Sequence, residues 1–202
     1  MTPGEPLPIR LMNTIRADRH GVHDALTTPA NLHAWLVAVA PEFAAGHSPG
    51  PDRIALGDFR ALRDALRRLA ALQTDDARPA AAAATTDPTD PTDAIDAIAA
   101  INDAATLVPV VPQLELREGQ LSRATTRPAT SALRVLSGIA REGIELLTGP
   151  TRIDLRACHA PGCLNYFVKD HPRREWCSPA CGNRARSARH YHRHTTQPDT
   201  NQ

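Results

Sequence analysis

All four cysteines of this 202-residue chain lie near its C-terminus and form two close pairs. Four residues separate Cys158 from Cys163, three separate Cys177 from Cys181, and thirteen join the pairs. A short loop or one helical turn can bring both thiolates of a pair to the same metal ion. Four thiolates suit tetrahedral Zn²⁺ and leave no coordination position for water or substrate. The spacing therefore predicts one structural zinc ion, with Cys158, Cys163, Cys177 and Cys181 as its ligands.

Other uses of the same four cysteines remain open. They could form a disulfide framework or hold an iron-sulfur cluster. The N-terminus lacks a basic stretch followed by an apolar one, so we expect a cytoplasmic protein, where paired cysteines bind metal more often than they form disulfides. A histidine ligand, from His159, His171 or the histidines at 190, 192 and 194, is less favoured because four thiolates already complete a tetrahedron.

The residues around the cysteines predict the elements that position them. Alternation at Ile153 and Leu155 indicates a short strand before Cys158, and Pro161-Gly162 allows a tight turn. A second strand is expected over residues 166–168. Ser178 suits a helix N-cap and Pro179 the first helical position, so a helix should run from about Pro179 to His194 with Cys181 in its first turn. This order predicts a small treble-clef-like zinc module.

The predicted C-terminal helix is strongly basic. Arginine forks match phosphate oxygens and the guanine edge, which makes double-stranded DNA the expected partner. The alternative is that these arginines simply form a solvated face, but their position on the metal module favours nucleic-acid contact. Tyr166 and Trp176 could stack on bases, although such aromatics more often form the small core beside a zinc ion. The candidate nucleic-acid-binding residues are Asn183, Arg184, Arg186, Arg189, His190 and Arg193.

Charge is distributed unevenly along the chain. Residues 1–155 carry 15 basic and 19 acidic side chains, whereas residues 156–202 carry 8 and 3. A basic module on an acidic body favours a polyanionic partner. No apolar run approaches the roughly 20 residues of a membrane span. We therefore expect a cytoplasmic, nucleoid-associated protein with no membrane contact.

The first 150 residues predict a mainly helical domain with a short β-hairpin, an α+β fold. Thr28-Pro29 should open a helix that ends before Pro41, and Asp58 should cap a second, whose arginines at 60, 63, 67 and 68 are expected in solvent. The Ala/Pro/Thr/Asp-rich segment 73–93 predicts a mobile loop. A helix is expected from about Thr92, with Ile95, Ile98 and Ile101 on its apolar face, and another over residues 128–148. A hairpin that turns at Glu118-Gly119 should lie between these two helices.

Three divisions of the chain follow from these patterns. The helical domain should cover 1–150, the zinc module 151–195 and a disordered tail 196–202. No phosphate-binding loop, dinucleotide fingerprint or metalloprotease His-Glu pair occurs upstream of the cysteines. A zinc hydrolase would also need an open coordination position and a general base. We therefore expect no enzymatic activity.

The cysteine module resembles the CGNR-type zinc finger. The ligand spacing, the tetrapeptide Cys181-Gly182-Asn183-Arg184 and the continuation Arg189-His190-Tyr191 carry this resemblance. Upstream, Leu11-Met12-Asn13-Thr14 and the stretch from Leu32 to Leu36 resemble the start of the ABATE domain, which precedes this finger in a bacterial family assigned as stress-induced transcription regulators. The segment before Asn13 and the long loop depart from the family pattern.

The resemblance implies a DNA-binding transcription regulator. By analogy, the N-terminal domain could receive a small-molecule effector or a protein partner. The alternative is a zinc-stabilised protein-protein interaction module that does not bind DNA directly.

Overall fold

The computed structural model describes residues 4–18, 21–39, 53–78, 91–125 and 132–195. Three separate antiparallel strand pairs accompany the helices in these ranges. The fold is mainly helical with short hairpins, as predicted. The helices are α1 (Leu7–Met12), α2 (Pro29–Val39), α3 (Arg53–Gln73), α4 (Pro91–Thr106), α5 (Ala132–Thr148) and α6 (Pro179–Thr195); the strands are β1 (Ile15–Asp18), β2 (Gly21–Asp24), β3 (Pro112–Arg117), β4 (Gln120–Thr125), β5 (Leu155–Ala157) and β6 (Tyr166–Val168).

One apolar core joins the helices of the N-terminal domain. Phe59, Leu62 and Leu66 of α3 are buried with Leu136 and Ile139 of α5. These residues recur at intervals of three and four positions, so each helix turns one apolar stripe inward. The same core includes residues of β5 and β6, and the cysteine module therefore packs directly on the helical domain. No helix in the described ranges is long and apolar enough to cross a membrane.

Several predicted elements are confirmed. The Thr28 hydroxyl accepts a hydrogen bond from the Asn31 N–H at 3.2 Å and caps α2. The β3–β4 hairpin turns at Glu118 and Gly119, which both have positive φ, as a two-residue type I′ turn requires. Strand β6 and helix α6 also lie where the sequence predicts them, and β5 directly precedes Cys158 as expected. The part of that strand prediction that included Ile153 was wrong, because Pro150–Asp154 form a 3-10 helix in which Ile153 is 65% exposed, and β5 begins only at Leu155.

In the first half of the chain one strand pair was not predicted and one helix boundary was wrong. The sequence carried no assignment for the segment in which β1 and β2 pair, with Ile15 opposite Asp24. The third helix begins at Arg53 and not after Asp58. Leu56 packs against the core one turn before Phe59, so the apolar stripe already supports a helix there.

The buried face of α4 also differs from the prediction. Ile95 and Ile98 are exposed, and Ile101 shares the buried face with the small residues Ala97 and Ala104. Alanines allow close approach of neighbouring helices. On α5, Leu133 is 40% exposed, whereas Leu136 and Ile139 are buried. Residues 128–131 of that predicted helix lie outside the described residues.

The segment predicted as a mobile loop, 73–93, is structured at both ends. Helix α3 extends to Gln73, and α4 begins at Pro91. Asp76 is buried beneath the cysteine module, and Arg78 is half-buried beside it. Composition could not reveal this, because their partners lie about 80 residues further along the chain. Residues 79–90 and the predicted tail, 196–202, lie outside the described residues.

Two of the α3 arginines expected in solvent are buried. Arg63 donates hydrogen bonds to Asp24 at 2.6 Å and to Asp64 at 2.8 Å. Arg67 donates to the carbonyl of Met12 at 2.9 Å and to that of Leu164 at 3.3 Å. The Met12 carbonyl lies at the end of α1, where the last helical carbonyls lack partners within the helix. Arg67 therefore joins the helical domain to the cysteine module.

Replacing Arg67 with methionine tests this role. The variant Arg67→Met leaves two buried carbonyls without their charged donor, so the free energy of unfolding should fall by about 3 kcal/mol. The control Arg60→Met lies on the same helix and removes a side chain that is 44% exposed. Its loss should be about 1 kcal/mol or less. Urea unfolding of the zinc-loaded proteins measures both, and equal losses would contradict the buried role.

Candidate metal centre and nucleic-acid interface

The four cysteine sulfurs converge on a single point inside the module. All four are buried, and their Sγ atoms lie within 4.8 Å of one another. The Sγ atoms of Cys163 and Cys181 each lie close to that of Cys177, at 3.7 and 3.4 Å, and 3.7 Å from each other. A tetrahedron of Zn–S bonds of about 2.3 Å places sulfurs about 3.8 Å apart. The cysteines therefore fit one zinc ion, and none of the four is joined in a disulfide.

Local structure explains how each pair of ligands is formed. Strand β5 ends at Ala157, directly before Cys158. Gly162 adopts φ of +67°, which turns the chain back so that Cys163 faces Cys158. Ser178 accepts a hydrogen bond from the Cys181 N–H at 3.3 Å and caps α6. The first turn of α6 therefore carries Cys181 close to Cys177.

The ionisation of the thiols favours a cation at this point. Hydrogen bonds from Cys163 and Cys177 lower the pKa of the Cys158 thiol to about 2. The hydrogen bond with Cys158 raises the pKa of Cys163 to about 12 and that of Cys177 further. Four thiolates in one buried cluster repel one another, so a divalent ion must replace their protons. Zinc binding should release protons for this reason.

Polar groups around the sulfurs support the ligands. Nη2 of Arg184 donates to Sγ of Cys181 at 3.1 Å, and Nδ2 of Asn165 lies 3.7 Å from Sγ of Cys177. Such donors stabilise thiolate charge and orient the ligands. A Cβ at Gly182 would lie 3.1 Å from the Trp176 ring, so glycine allows this ring to pack closely on α6. The tetrapeptide beginning at Cys181 thus supplies a zinc ligand, a glycine that allows close packing, and an arginine that donates a hydrogen bond to a ligand sulfur.

A buried network from the helical domain holds the first cysteine loop. Nη1 of Arg78 donates to the carbonyl of Cys158 at 2.8 Å and also to that of Cys163. Asp76 pairs with Arg78 at 2.6 Å and accepts a hydrogen bond from the Tyr166 hydroxyl at 2.9 Å. Burial alone would raise the pKa of Asp76, but the bonds from Arg78 and Tyr166 lower it overall. Asp76 is therefore charged at neutral pH.

Two further contacts fix strand β6 to the N-terminal residues. The side chain of Asn13 bonds both the N–H and the carbonyl of Tyr166, each at 2.9 Å. Glu5 accepts a hydrogen bond from the Val168 N–H at 3.2 Å and pairs with Arg174. Tyr166 is fully buried in the main core, so it is not a base-stacking residue. Trp176 packs against the cysteine cluster, as preferred from the sequence.

The predicted nucleic-acid residues lie together on α6. Asn183, Arg184, Arg186, Arg189 and His190 are all exposed. Arg186 donates to the Asn183 side chain, and Arg184 also faces the metal centre. Arg193 lies on the same helix, but its side chain is outside the described residues. The sequence reasoning missed Asp76, Arg78 and Asn13; of these, only Asn13 fell within a motif that had been singled out.

The architecture is that of a helical domain joined to a C-terminal four-cysteine zinc finger. Residues 5–150 match the ABATE family model, described as "Putative stress-induced transcription regulator", and residues 155–194 match the CGNR zinc finger. The chain therefore belongs to the ABATE family, and its C-terminal module is a CGNR zinc finger that holds one structural zinc ion. No curated protein matches the sequence significantly.

The hydrogen bond from Arg184 of α6 to the sulfur of Cys181 can be tested by zinc competition. The variant Arg184→Met removes the N–H donor to Cys181, so the zinc dissociation constant should rise about tenfold or more. The control Arg189→Met makes the same change further along the exposed face of α6 and should leave zinc affinity unchanged. Titration against a chromophoric chelator measures both constants. Equal affinities for Arg184→Met and the unmodified protein would contradict the role of Arg184.

Proposed function

We propose that the protein is a DNA-binding transcription regulator whose helix α6 contacts double-stranded DNA. The observation that carries the proposal is the composition of this helix. Its 17 residues include four arginines and three histidines and no acidic residue. The described arginines of α6 are exposed, whereas Arg63 and Arg67 of α3 are buried in structural contacts. The exposed side chains of Arg184, Arg186 and Arg189 are therefore available to a polyanion.

The geometry of α6 suits a duplex. An α-helix with its side chains is about 10–12 Å wide, close to the roughly 12 Å width of the major groove. Arg186 and Arg189 lie three residues apart on α6, share one helix face and are both exposed. The zinc ion and the Ser178 cap hold the first turn, so the helix can be presented as a rigid element.

Zinc serves a structural role in this proposal, and the protein has no enzymatic activity of its own. Four buried thiolates complete the coordination shell, which leaves no position at which a substrate or an activated water could bind. The chain's own groups stabilise the ligands and orient α6. Nucleoid association follows from DNA binding, and a regulatory role for the helical domain rests on the family description alone.

The salt dependence of binding tests the DNA contact. The double variant Arg186→Ala/Arg189→Ala should weaken binding to a random-sequence duplex. It should also lower the slope of log affinity against log salt by roughly two, about one unit for each lost phosphate contact. Fluorescence anisotropy of a labelled duplex at several salt concentrations measures the slope.

A matched control removes the same charge elsewhere. The double variant Arg60→Ala/Arg123→Ala lies on the helical domain and should leave the slope unchanged. An unchanged slope for the α6 variant, or equal changes for both, would contradict the proposal. Failure of the unmodified protein to bind duplex DNA at low salt would instead favour the second candidate, a zinc-stabilised module whose exposed arginines meet an acidic protein.

A further inference from the structure

The β3–β4 hairpin carries an exposed apolar face. Leu114, Leu116 and Leu121 are 73%, 70% and 72% exposed, although leucine is usually buried. Leu116 lies directly opposite Leu121, and Leu114 is two residues away on the same strand, so all three lie on one side of the hairpin. Val110 and Val111, just before β3, are also more than half exposed. A cluster of exposed apolar residues on one ribbon indicates an interaction surface.

The hairpin also leaves one strand edge open. Within the described residues, β4 is the only strand paired with β3. Beside a two-residue turn, Arg117 and Gln120 form a hydrogen-bonded pair, and such pairs alternate along the ladder. The N–H and carbonyl groups of Leu114 and Leu116 therefore point away from β4. An isolated two-stranded hairpin is marginally stable, and an open edge is a template for another strand.

We propose that β3 pairs antiparallel with β3 of a second copy of this chain, centred on Leu116. This register places Glu115 of each copy opposite Arg117 of the other, which forms two oppositely charged cross-strand pairs. In the single chain these two side chains pair with each other at 2.8 Å on the exposed face. The charge pattern of β3 therefore complements that of another β3 strand running antiparallel to it. For this reason we assign the open edge to a second copy of the chain.

The same register also places the apolar faces of the two hairpins side by side. Leu116 of one copy lies opposite Leu116 of the other, and each already neighbours Leu121 within its own hairpin. The two Leu116 residues exchange backbone hydrogen bonds through their outward N–H and carbonyl groups. Pro112, which lacks an N–H, falls outside the short paired stretch. The product is a four-stranded sheet with six leucines on one face.

Charge reversal at the two positions tests the register. Glu115→Arg alone places two arginines opposite each other, and Arg117→Glu alone places two glutamates opposite each other. Each single variant should weaken dimerisation at least about tenfold. The double variant Glu115→Arg/Arg117→Glu restores both pairs with the charges exchanged and should dimerise like the unmodified protein. Sedimentation equilibrium of the zinc-loaded full chain without DNA measures the dimer dissociation constant.

Arg123→Glu is the matched control. It makes the same charge change as Arg117→Glu on the same hairpin but on β4, and it should not alter the dissociation constant. A monomer at all concentrations up to about 100 µM would overturn the proposal. Equal weakening by Arg123→Glu, or failure of the double variant to recover, would overturn the Leu116 register. Circular dichroism and zinc content identify any variant that fails to fold, and Leu116→Lys then provides a second test, since it too should abolish the dimer.

Discussion

The buried pairing of Asp76 with Arg78 is the contact on which the rest of the structure depends. Arg78 donates hydrogen bonds to the carbonyls of two zinc ligands, Cys158 and Cys163, while Asp76 accepts a hydrogen bond from the hydroxyl of Tyr166. Breaking such a pair leaves an uncompensated buried charge, which is strongly destabilising. The zinc finger is therefore not a separate unit attached by a linker, because the helical domain supplies groups that complete its first cysteine loop.

The described arginines on α6 differ in role from three arginines that are buried or half-buried in the helical domain. Arg63, Arg67 and Arg78 are buried or half-buried and bond to carboxylates and backbone carbonyls inside the molecule. Those described on α6 are exposed, and Arg184 serves both the metal centre and the surface. Helix α6 presents the exposed Arg184, Arg186 and Arg189 and contains no acidic residue that could neutralise them within the helix. This division supports the proposed DNA contact more strongly than net charge does.

The metal centre could be predicted from the sequence because its ligands lie in two local pairs whose spacing reflects a turn and a helix start. The Glu118-Gly119 turn was also predictable from local sequence, since Gly119 adopts the required positive φ freely, although Glu118 adopts it only at some steric cost. The Asp76 network was not, because its partners are distant in sequence. Periodicity likewise could not distinguish Arg63 and Arg67 from solvent-facing arginines, as they lie directly beside the apolar positions Leu62 and Leu66 on α3.

Hydrogen exchange of the full chain with and without zinc tests most directly whether the two parts form one unit. Zinc removal should speed exchange at the amides of Cys158 and Tyr166 and also at Asp76 and Arg78, whose bonds lie in the helical domain. The amides of β3 and β4, which are remote from the metal, should exchange at the same rate in both forms. Faster exchange confined to residues 155–195 would contradict the coupling and show that the finger folds independently.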